Sequence, residues 1–383
     1  MMFAEVLPIS NRCGVRNRSP VRLPSLSSVA RSAVGILLLA AVFHVIFCNE
    51  VQLQLNSGGG PAWDSLTKWQ QRQMAWTQGP VELWRNLKRL DAVSLISAFW
   101  LCGILVGLGA WRWRRVLAEQ GIRMSWREVV RISLVAQFFN AFLLGTAGGD
   151  VIKAWYAARA TPQKRAAAAV TVLVDRLLGT LGLLLAAALL ALPHISLILE
   201  LRRYQAVVVT VLGMLVTAAG LLCLGFYTEL LGEGSALSRG LRKLPAGESI
   251  IRALTACRRF GRDPAFLLQM GLMSLLIAGF VALTYVVLAR GLGVSMDAMT
   301  LSFVSLSVVC LAALPVSPSG LGVRENLFVW LLSVPAFHLK PGLALSLSLL
   351  GYTVNLAWSA IGGLVYLLMP ERADIAQVGK GLE

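Results

Sequence analysis

Charged residues are scarce in this chain of 383 residues: Asp, Glu, Lys and Arg make up 14% of it, whereas they make up about a quarter of soluble globular domains. Hydrophobic residues reach 57%, and the mean hydropathy is +0.70. Uncharged stretches such as 207–226 and 265–289 are long enough to cross a bilayer core of about 30 Å as helices. The composition excludes a water-soluble globular protein and predicts an all-α integral membrane protein.

Motifs of several enzyme and binding classes are also missing. The six cysteines contain no C-x-x-C pair and the three histidines lie far apart, so neither a disulfide framework nor a metal site is expected. The chain has no G-x-x-x-x-G-K-[ST] motif, which argues against ATP as a direct energy source. We therefore expect no cofactor.

The charges that are present are mostly basic, and the formal net charge is +16. Nucleic acid is one partner of basic chains, but membrane proteins with basic cytoplasmic loops show the same excess. With a cytoplasmic N-terminus, 24 of the 35 Lys and Arg residues fall in segments assigned to the inner side. We therefore expect no nucleic-acid partner, and a multi-pass protein of the cell inner (plasma) membrane with both termini cytoplasmic.

The first apolar run, 33–47, follows several arginines and resembles a signal peptide. No A-x-A cleavage sequence follows this run. An uncleaved first span is therefore the preferred interpretation, and cleavage is the alternative.

Long charge-poor runs predict six full transmembrane helices, at 32–48, 92–110, 166–192, 205–226, 265–289 and 342–368. Two further apolar segments predict re-entrant broken helices. The first, 132–147, ends in a glycine-rich turn between two basic flanks that the positive-inside rule keeps on one side. The second, 300–314, runs into the Pro- and Gly-rich stretch 315–322, which is followed by the short apolar piece 326–337.

The order span, span, re-entrant segment, span occurs in the first membrane half, 32–192, and again in the second, 205–368. Because each half crosses the membrane three times, the second starts on the opposite side, which predicts an inverted repeat. In transporters this arrangement builds a binding site near the bilayer midplane. The alternative is that both broken segments are ordinary spans with short second arms.

The remaining segments are a basic cytoplasmic tail, an external loop, a basic cytoplasmic loop and a C-terminal cytoplasmic tail, at 1–31, 193–204, 227–264 and 369–383. The segment 49–91 is expected outside, either on the membrane surface or as a linker helix packed on the bundle. Four of its apolar residues are spaced to share one helical face: Trp63, Leu66, Trp69 and Trp76.

Asp175 and Arg176 lie inside an apolar run, where each charge costs about 2.5 to 3.5 kcal/mol on insertion scales. Adjacent helical positions point about 100° apart, so each residue is expected to find its partner elsewhere. The expected partners are the charges at the two breaks, Asp150, Lys153, Arg324 and Glu325. Asp150 is also the expected N-cap of a short helix that carries Lys153.

These charges are expected to converge in a polar cavity that binds a lipid phosphate, because helix N-termini and arginines bind phosphate and glycine lets it approach the backbone. The predicted phosphate-binding residues are Lys153, Arg176, Arg324, Asn140, Gly148, Gly149, Gly320 and Gly322. The predicted coupling or counter-ion residues are Asp150, Asp175 and Glu325. The alternative is that the charges pair only with one another and hold the turns.

Five short motifs occur in a fixed order: Arg112-Trp113-Arg114-Arg115-Val116-Leu117, Phe138-Phe139-Asn140, Gly148-Gly149-Asp150-Val151-Ile152-Lys153, Asp175-Arg176-Leu177-Leu178-Gly179 and 315–325. In this order they resemble the lysylphosphatidylglycerol synthase transmembrane-region family, also called flippase-like domain proteins. The resemblance runs from about residue 92 to 368.

The resemblance implies lipid handling without lipid synthesis. In bifunctional members this region moves an aminoacylated phospholipid between leaflets, and a separate soluble domain makes that lipid; here only 15 residues follow the last predicted span. Other relatives are linked to polyprenyl-phosphate sugars or hopanoid-type lipids. This chain departs from the family in two places, since it has no proline in 143–146 and has Lys153 where arginine is common.

The leading hypothesis is a lipid translocase, in which a phospholipid, polyprenyl-phosphate or related lipid passes through a polar cavity while the two halves rock. A protonated acid would couple the cycle. One alternative is a membrane-embedded transferase that modifies lipid head groups. Another is a protein that does not transport lipid itself but recruits a lipid synthase or glycosyltransferase through its loop 227–264.

Overall fold

The computed structural model describes residues 63–88, 90–142, 148–227, 257–314, 320, 322–337 and 339–369, together with six residues between 44 and 55. The described part is helical and contains no strand. Its helices are α1 (Lys68–Lys88), α2 (Ala92–Glu119), α3 (Trp126–Phe142), α4 (Gly148–Ala160), α5 (Arg165–Ala191), α6 (Ile195–Glu200), α7 (Arg202–Tyr227), α8 (Pro264–Gly291), α9 (Ala298–Ala312), α10 (Val323–Leu332) and α11 (Pro341–Leu368).

Five helical segments are long and apolar enough to cross a membrane: Ala92–Glu119, Pro162–Glu200, Arg202–Phe226, Pro264–Gly291 and Pro341–Leu368. They contain five of the six spans expected from the sequence. The sixth, 32–48, lies almost wholly outside the described residues, as does most of the basic loop 227–264. The protein is therefore an all-helical, multi-pass membrane protein.

Aspartate caps begin three of the apolar helices. The side chains of Asp91, Asp263 and Asp297 accept hydrogen bonds from backbone N–H groups in the first turns of α2, α8 and α9. These N–H groups have no partner within the helix, so a carboxylate there satisfies them and also interacts favourably with the positive end of the helix dipole. The caps place the start of each helix at a polar boundary.

Helices α3 and α4 form a hairpin, which we call the first hairpin. The N–H of Gly149 donates to Asn140 Oδ1 at 2.7 Å, and Gly149 lies so close to the carbonyl of Ala136 that no side chain would fit. At the other end, Lys164 Nζ donates to the carbonyl oxygens of Gln120 and Gly121, which precede α3, at 3.0 and 3.3 Å. The segments that precede α3 and follow α4 therefore lie side by side.

Helices α9 and α10 form a second hairpin. Near its tip, Gly320 adopts a φ of +69° and packs against the carbonyl of Ala312. Its open end meets Tyr204, whose hydroxyl donates to the carbonyl of Leu331 at 2.6 Å and whose ring centroid lies 6.1 Å from that of Phe303. The second hairpin therefore opens where α7 begins.

Helix α5 relates the two hairpins to each other. Its start adjoins Lys164 at the open end of the first hairpin, while His194, just beyond its end, hydrogen-bonds Thr300 at the start of α9 over 2.9 Å. The two hairpins thus open at opposite ends of α5. Helices α4 and α9 pack on α5, whereas α3 and α10 pack on α11.

The prediction that Trp63, Leu66, Trp69 and Trp76 share one helical face is wrong in part. Thr67 and Gln70 exchange hydrogen bonds that start α1 at Lys68, so Trp63 lies before the helix, in a short 3-10 turn. Trp63 is 8% exposed, whereas Trp69 and Trp76, which do lie on α1, are 73% and 48% exposed. The apolar face is therefore carried by the helical tryptophans alone.

We expect Gly362→Ala to lower the thermal unfolding temperature, because a Cβ at this position of α11 would collide with the backbone carbonyl of Leu134 in α3. Overpacking of this kind costs about 1–3 kcal/mol. The measurement is thermal unfolding in detergent followed by tryptophan fluorescence.

The matched control is Gly271→Ala on α8, where a Cβ meets nothing within 4 Å. There the substitution should leave the unfolding temperature unchanged or raise it slightly, since alanine stabilises a helix by about 0.5–1 kcal/mol relative to glycine. Equal changes in the unfolding temperature of the two variants would contradict the close contact between α3 and α11.

Candidate functional site

Residues of both hairpins line one cavity of about 530 Å³, whose other walls come from α2, α5, α8 and α11. A cavity of this volume is in the range of small-ligand sites. Its charged lining residues are Asp150 and Lys153 from the first hairpin, Asp175 from α5 and Arg324 from the second hairpin. The cavity thus combines four charged side chains with a lining that is mostly apolar.

Asp175 is the centre of a buried ion-pair network. Its Oδ1 accepts from Arg112 Nε at 2.8 Å and its Oδ2 accepts from Lys153 Nζ at 3.0 Å. Gly179, one turn further along α5, lies against the Arg112 guanidinium and leaves no room for a side chain. Arg112 also donates to Ser274 Oγ on α8 at 3.1 Å. One carboxylate therefore joins α2, α4 and α5.

Trp113 supports the same network from its other side. Lys153 Nζ lies 4.3 Å from the centroid of the Trp113 ring, which is fully buried. The indole N–H donates to Thr171 Oγ1 at 3.3 Å, and this bond fixes the plane of the ring. A carboxylate and an aromatic face thus both interact favourably with the Lys153 ammonium group.

Asp150 and Arg176 form a second ion pair between α4 and α5. Their side chains are 27% and 37% exposed, whereas those of Arg112, Lys153 and Asp175 are at most 11% exposed. The Asp150–Arg176 pair is therefore the more accessible of the two connections between α4 and α5.

Arg324 and Glu325 form a separate network at the tip of the second hairpin. Glu325 accepts from Arg324 Nη2 at 2.7 Å and from the backbone N–H of Gly322 at 2.7 Å. Gly322 has a φ of +84°, a left-handed conformation that favours glycine. The guanidinium of Arg324 lies 4.7 Å from the centroid of the Tyr352 ring and also donates to Ser348 Oγ at 3.2 Å. The turn and its arginine are thus fixed on α11.

The structure brings most of the predicted site residues to the hairpin tips. Asp175 and Arg176 do find separate partners, as predicted. Four of the six charges expected to converge line the one cavity, but the six do not form a single ion-pair network, because the Arg324–Glu325 pair is separate from the pairs of Asp175 and Asp150. Neither Arg176 nor Glu325 is among the residues that line the cavity.

The four predicted glycines and Asn140 serve the turns. Asn140 and Gly149 are hydrogen-bonded to each other, Gly148 begins α4, and Gly320 and Gly322 have positive φ. The expectation that Asp150 is an N-cap is wrong, because α4 begins at Gly148 and Asp150 is its third residue. Its carboxylate pairs with Arg176 instead.

The sequence reasoning missed Arg112, which it treated as part of a basic flank beyond the span 92–110. Helix α2 continues to Glu119, so Arg112 lies inside it. Its spacing of three residues from Gly109 and seven from Leu105 became informative only once the structure showed that both line the cavity. Helical spacing places all three on one face.

Neutral polar residues that line the cavity were also missed. They come from α3, α8 and α11, and are Ser133, Gln137, Thr284, Tyr285, Tyr352 and Asn355. No sequence signal separates them from other polar residues in apolar helices. Within the part of the chain that the structure describes, no group of three or more His, Cys, Asp or Glu is placed to hold a metal ion.

We expect Asp175→Asn to destabilise the protein strongly, because Arg112 and Lys153 would lose the carboxylate that compensates both of them. Removing one partner from a buried ion pair costs about 3–5 kcal/mol. The matched variant is Asp150→Asn, which removes a carboxylate from the more exposed pair and should cost under about 1 kcal/mol.

Chemical or thermal unfolding of both purified variants in detergent measures the difference. Equal destabilisation would show that the Asp175 network is not the principal electrostatic tie between α2, α4 and α5.

Comparison with known proteins agrees with the resemblance seen in the motifs. Residues 73–363 match the family described as Lysylphosphatidylglycerol synthase TM region, and this match covers α2 to α10 and most of α1 and α11. No curated protein matches the chain. Because the match extends over most of the chain, the protein belongs to the lysylphosphatidylglycerol synthase transmembrane-region family.

Proposed function

We propose that the protein moves a lipid with a phosphate head group between the two leaflets of the membrane. The observation that carries the proposal is that Lys153 and Arg324, on the tips of two oppositely directed hairpins, line one cavity. Membership in a family of membrane lipid proteins agrees with a lipid-related role. The head group would occupy the cavity while its acyl chains stay in the bilayer.

The proposal includes the membrane arrangement expected from the sequence, with two re-entrant hairpins related as an inverted repeat. The packing supports it: the second arm of each hairpin packs on the last helix of its own half, and the first arm packs on the last helix of the other half. A two-fold axis in the membrane plane produces this exchange of contacts.

The charges at the cavity have different parts in this proposal. A phosphate that lies between the hairpins would accept hydrogen bonds from Lys153 and Arg324, which are both already held by a carboxylate and an aromatic ring. Asp175 and Glu325 are buried counter-ions that keep these cations in place. Asp150 lines the cavity and is partly exposed, which makes it the carboxylate best placed to take up a proton during transport.

The proposed orientation places the open end of the first hairpin in the cytoplasm and the α6 region outside. We expect Gln163→Cys and Glu200→Cys, both at exposed positions, to react from opposite sides of the membrane. The test uses a background without the six native cysteines and a membrane-impermeant maleimide, on right-side-out and inverted vesicles.

Right-side-out vesicles should label Glu200→Cys and inverted vesicles should label Gln163→Cys. Labelling of both positions from the same side would contradict the proposed topology, and the reverse pattern would contradict only the orientation.

We expect Arg324→Ala and Lys153→Ala to slow lipid translocation at least about tenfold, because each removes a cation that would hold the phosphate in a water-poor cavity. The measurement is the protection of tail-labelled phosphatidylglycerol from an impermeant quencher in proteoliposomes. The matched control is Arg290→Ala, an exposed arginine at the end of α8 that does not line the cavity.

Variants are compared only after size-exclusion chromatography and thermal unfolding show that they are folded. Wild-type rates in folded Arg324→Ala and Lys153→Ala would overturn the assignment of the site. Absence of translocation by the wild-type protein for every lipid tested would overturn the proposed function.

A further inference from the structure

Helix α1 carries a row of tryptophans that are largely exposed. Trp69, Trp76 and Trp84 are 73%, 48% and 61% exposed, and helical geometry places them within about 80° of one another around the helix axis. The helix has 21 residues, which is long enough for a span, but it is not among the helices that are apolar enough to cross a membrane. A polar helix with a row of tryptophans is typical of the boundary between lipid and water.

The two flanks of α1 differ in character. Ala75 is fully buried and marks the side of α1 that packs on the rest of the protein, where α11 is one neighbour. Trp69 and Trp76 lie about 100–120° to one side of Ala75 around the axis. Gln78 and Arg85, both exposed, lie about 60–80° to the other side. A helix that lies along a membrane surface beside a bundle has this arrangement, with one flank toward lipid and the other toward water.

The end of α1 lies close to the polar ends of two spans. Helix α1 ends at Lys88, and Asp91 caps the first turn of α2 three residues later. The backbone N–H of Asp91 also donates to the carbonyl oxygen of Gly291, the last residue of α8, at 3.1 Å. Since α2 and α8 are both candidate spans, α1 ends at a membrane boundary.

A groove of about 470 Å³ lies beside the tryptophan row and is lined by His44, Trp69, Arg72, Gln73 and Trp76. The Trp76 indole is fixed there, because its N–H donates to His44 Nδ1 at 3.0 Å. None of the ion pairs among the described residues involves Arg72. A guanidinium group beside two indole rings can bind a phosphate while the rings contact the glycerol backbone and the upper acyl chains.

The charge of α1 identifies the occupant of this surface. The helix has one acidic residue, Glu82, and four basic residues, which are Lys68, Arg72, Arg85 and Lys88. The hydrocarbon core would accept the indole rings but not the cations, and an acidic protein would pair with the cations without requiring the exposed rings. A layer of anionic lipid head groups interacts favourably with both.

We propose that α1 lies along the membrane surface and that its groove binds the head group of an anionic phospholipid, with the phosphate at Arg72. This site is separate from the cavity between the hairpins, whose lining includes no residue of α1. The proposal therefore does not depend on lipid translocation. A lipid bound there would hold α1 beside the bundle.

The first test measures which flank of α1 contacts lipid. Gln73→Cys, on the tryptophan flank, and Gln78→Cys, on the other, are matched exposed positions. Each carries a nitroxide label in a background without the six native cysteines. The full chain is placed in nanodiscs of equal parts phosphatidylcholine and phosphatidylglycerol, and collisions with oxygen and with a water-soluble nickel complex are measured by electron paramagnetic resonance.

We expect the label at Gln73→Cys to collide several times more with oxygen, which concentrates in lipid, and the label at Gln78→Cys to collide more with nickel. A preference for nickel at both positions would show that α1 lies in water and would overturn the proposal. Few collisions with either reagent at Gln73→Cys would show that protein, such as a second copy, covers the flank, and would overturn the lipid as occupant.

The second test identifies the head-group site. Phosphatidylglycerol and phosphatidylcholine with the same diazirine-bearing acyl chain are photo-crosslinked to the full chain in nanodiscs, and the labelled peptides are mapped by mass spectrometry. We expect phosphatidylglycerol to label the 68–76 segment about fivefold more than phosphatidylcholine, because a cation at an anionic surface contributes about this factor. Folded Arg72→Gln should bring the two lipids close to equal labelling of this segment.

The matched control is Arg85→Gln, which removes the same charge from the other flank of α1 and should leave the preference unchanged. An equal loss of preference in both variants would show a general charge effect and overturn the site at Arg72. Equal labelling by the two lipids in the wild-type protein, or an unchanged preference in Arg72→Gln, would also overturn it.

Discussion

The carboxylate of Asp175 is the interaction on which the site depends. It lies in an apolar helix, where an ionised acid is stable only if its charge is compensated, and Arg112 and Lys153 supply that compensation from two other helices. Each bond fixes a different element: Arg112 ties α2 to α5, and Lys153 ties the tip of the first hairpin to α5. The bond to Lys153 also holds this cation at the wall of the cavity. The bonds that stabilise the packing of these helices are therefore the same bonds that position the charged side chains of the site.

Close backbone contacts between helices act together with the ion pairs to hold the bundle together. Gly149 against Ala136 and Gly362 against Leu134 let α3 approach two neighbours, α4 and α11, at distances that any side chain would prevent. In lipid, where water does not drive helices together, such contacts and a few polar bonds are the main source of helix association. These contacts hold α3 against α4 and α11, while the Arg324–Glu325 pair and its bond to Gly322 hold the start of α10.

Much of this organisation could be predicted from the sequence. Apolar length gave five of the spans that the structure describes, and the incompatibility of Asp175 and Arg176 with an apolar run pointed to partners at the breaks. Arg112 was not predicted, because a basic residue at the end of an apolar run looks the same whether it faces water or turns inward. The predicted N-cap at Asp150 lies three residues after the actual N-cap position, since the start of a helix near several glycines has no sharp signal. The neutral lining could not be predicted, because it depends on which faces of three helices meet.

The exchange of arms between the halves constrains how such a molecule can deform. Helix α3 belongs to the first half of the chain but packs on α11, and α9 belongs to the second half but packs on α5. Two helix–helix interfaces, between α3 and α11 and between α9 and α5, therefore join the two halves of the sequence. A rigid unit that contains either interface therefore combines helices from both halves of the chain, α3 with α11 or α9 with α5.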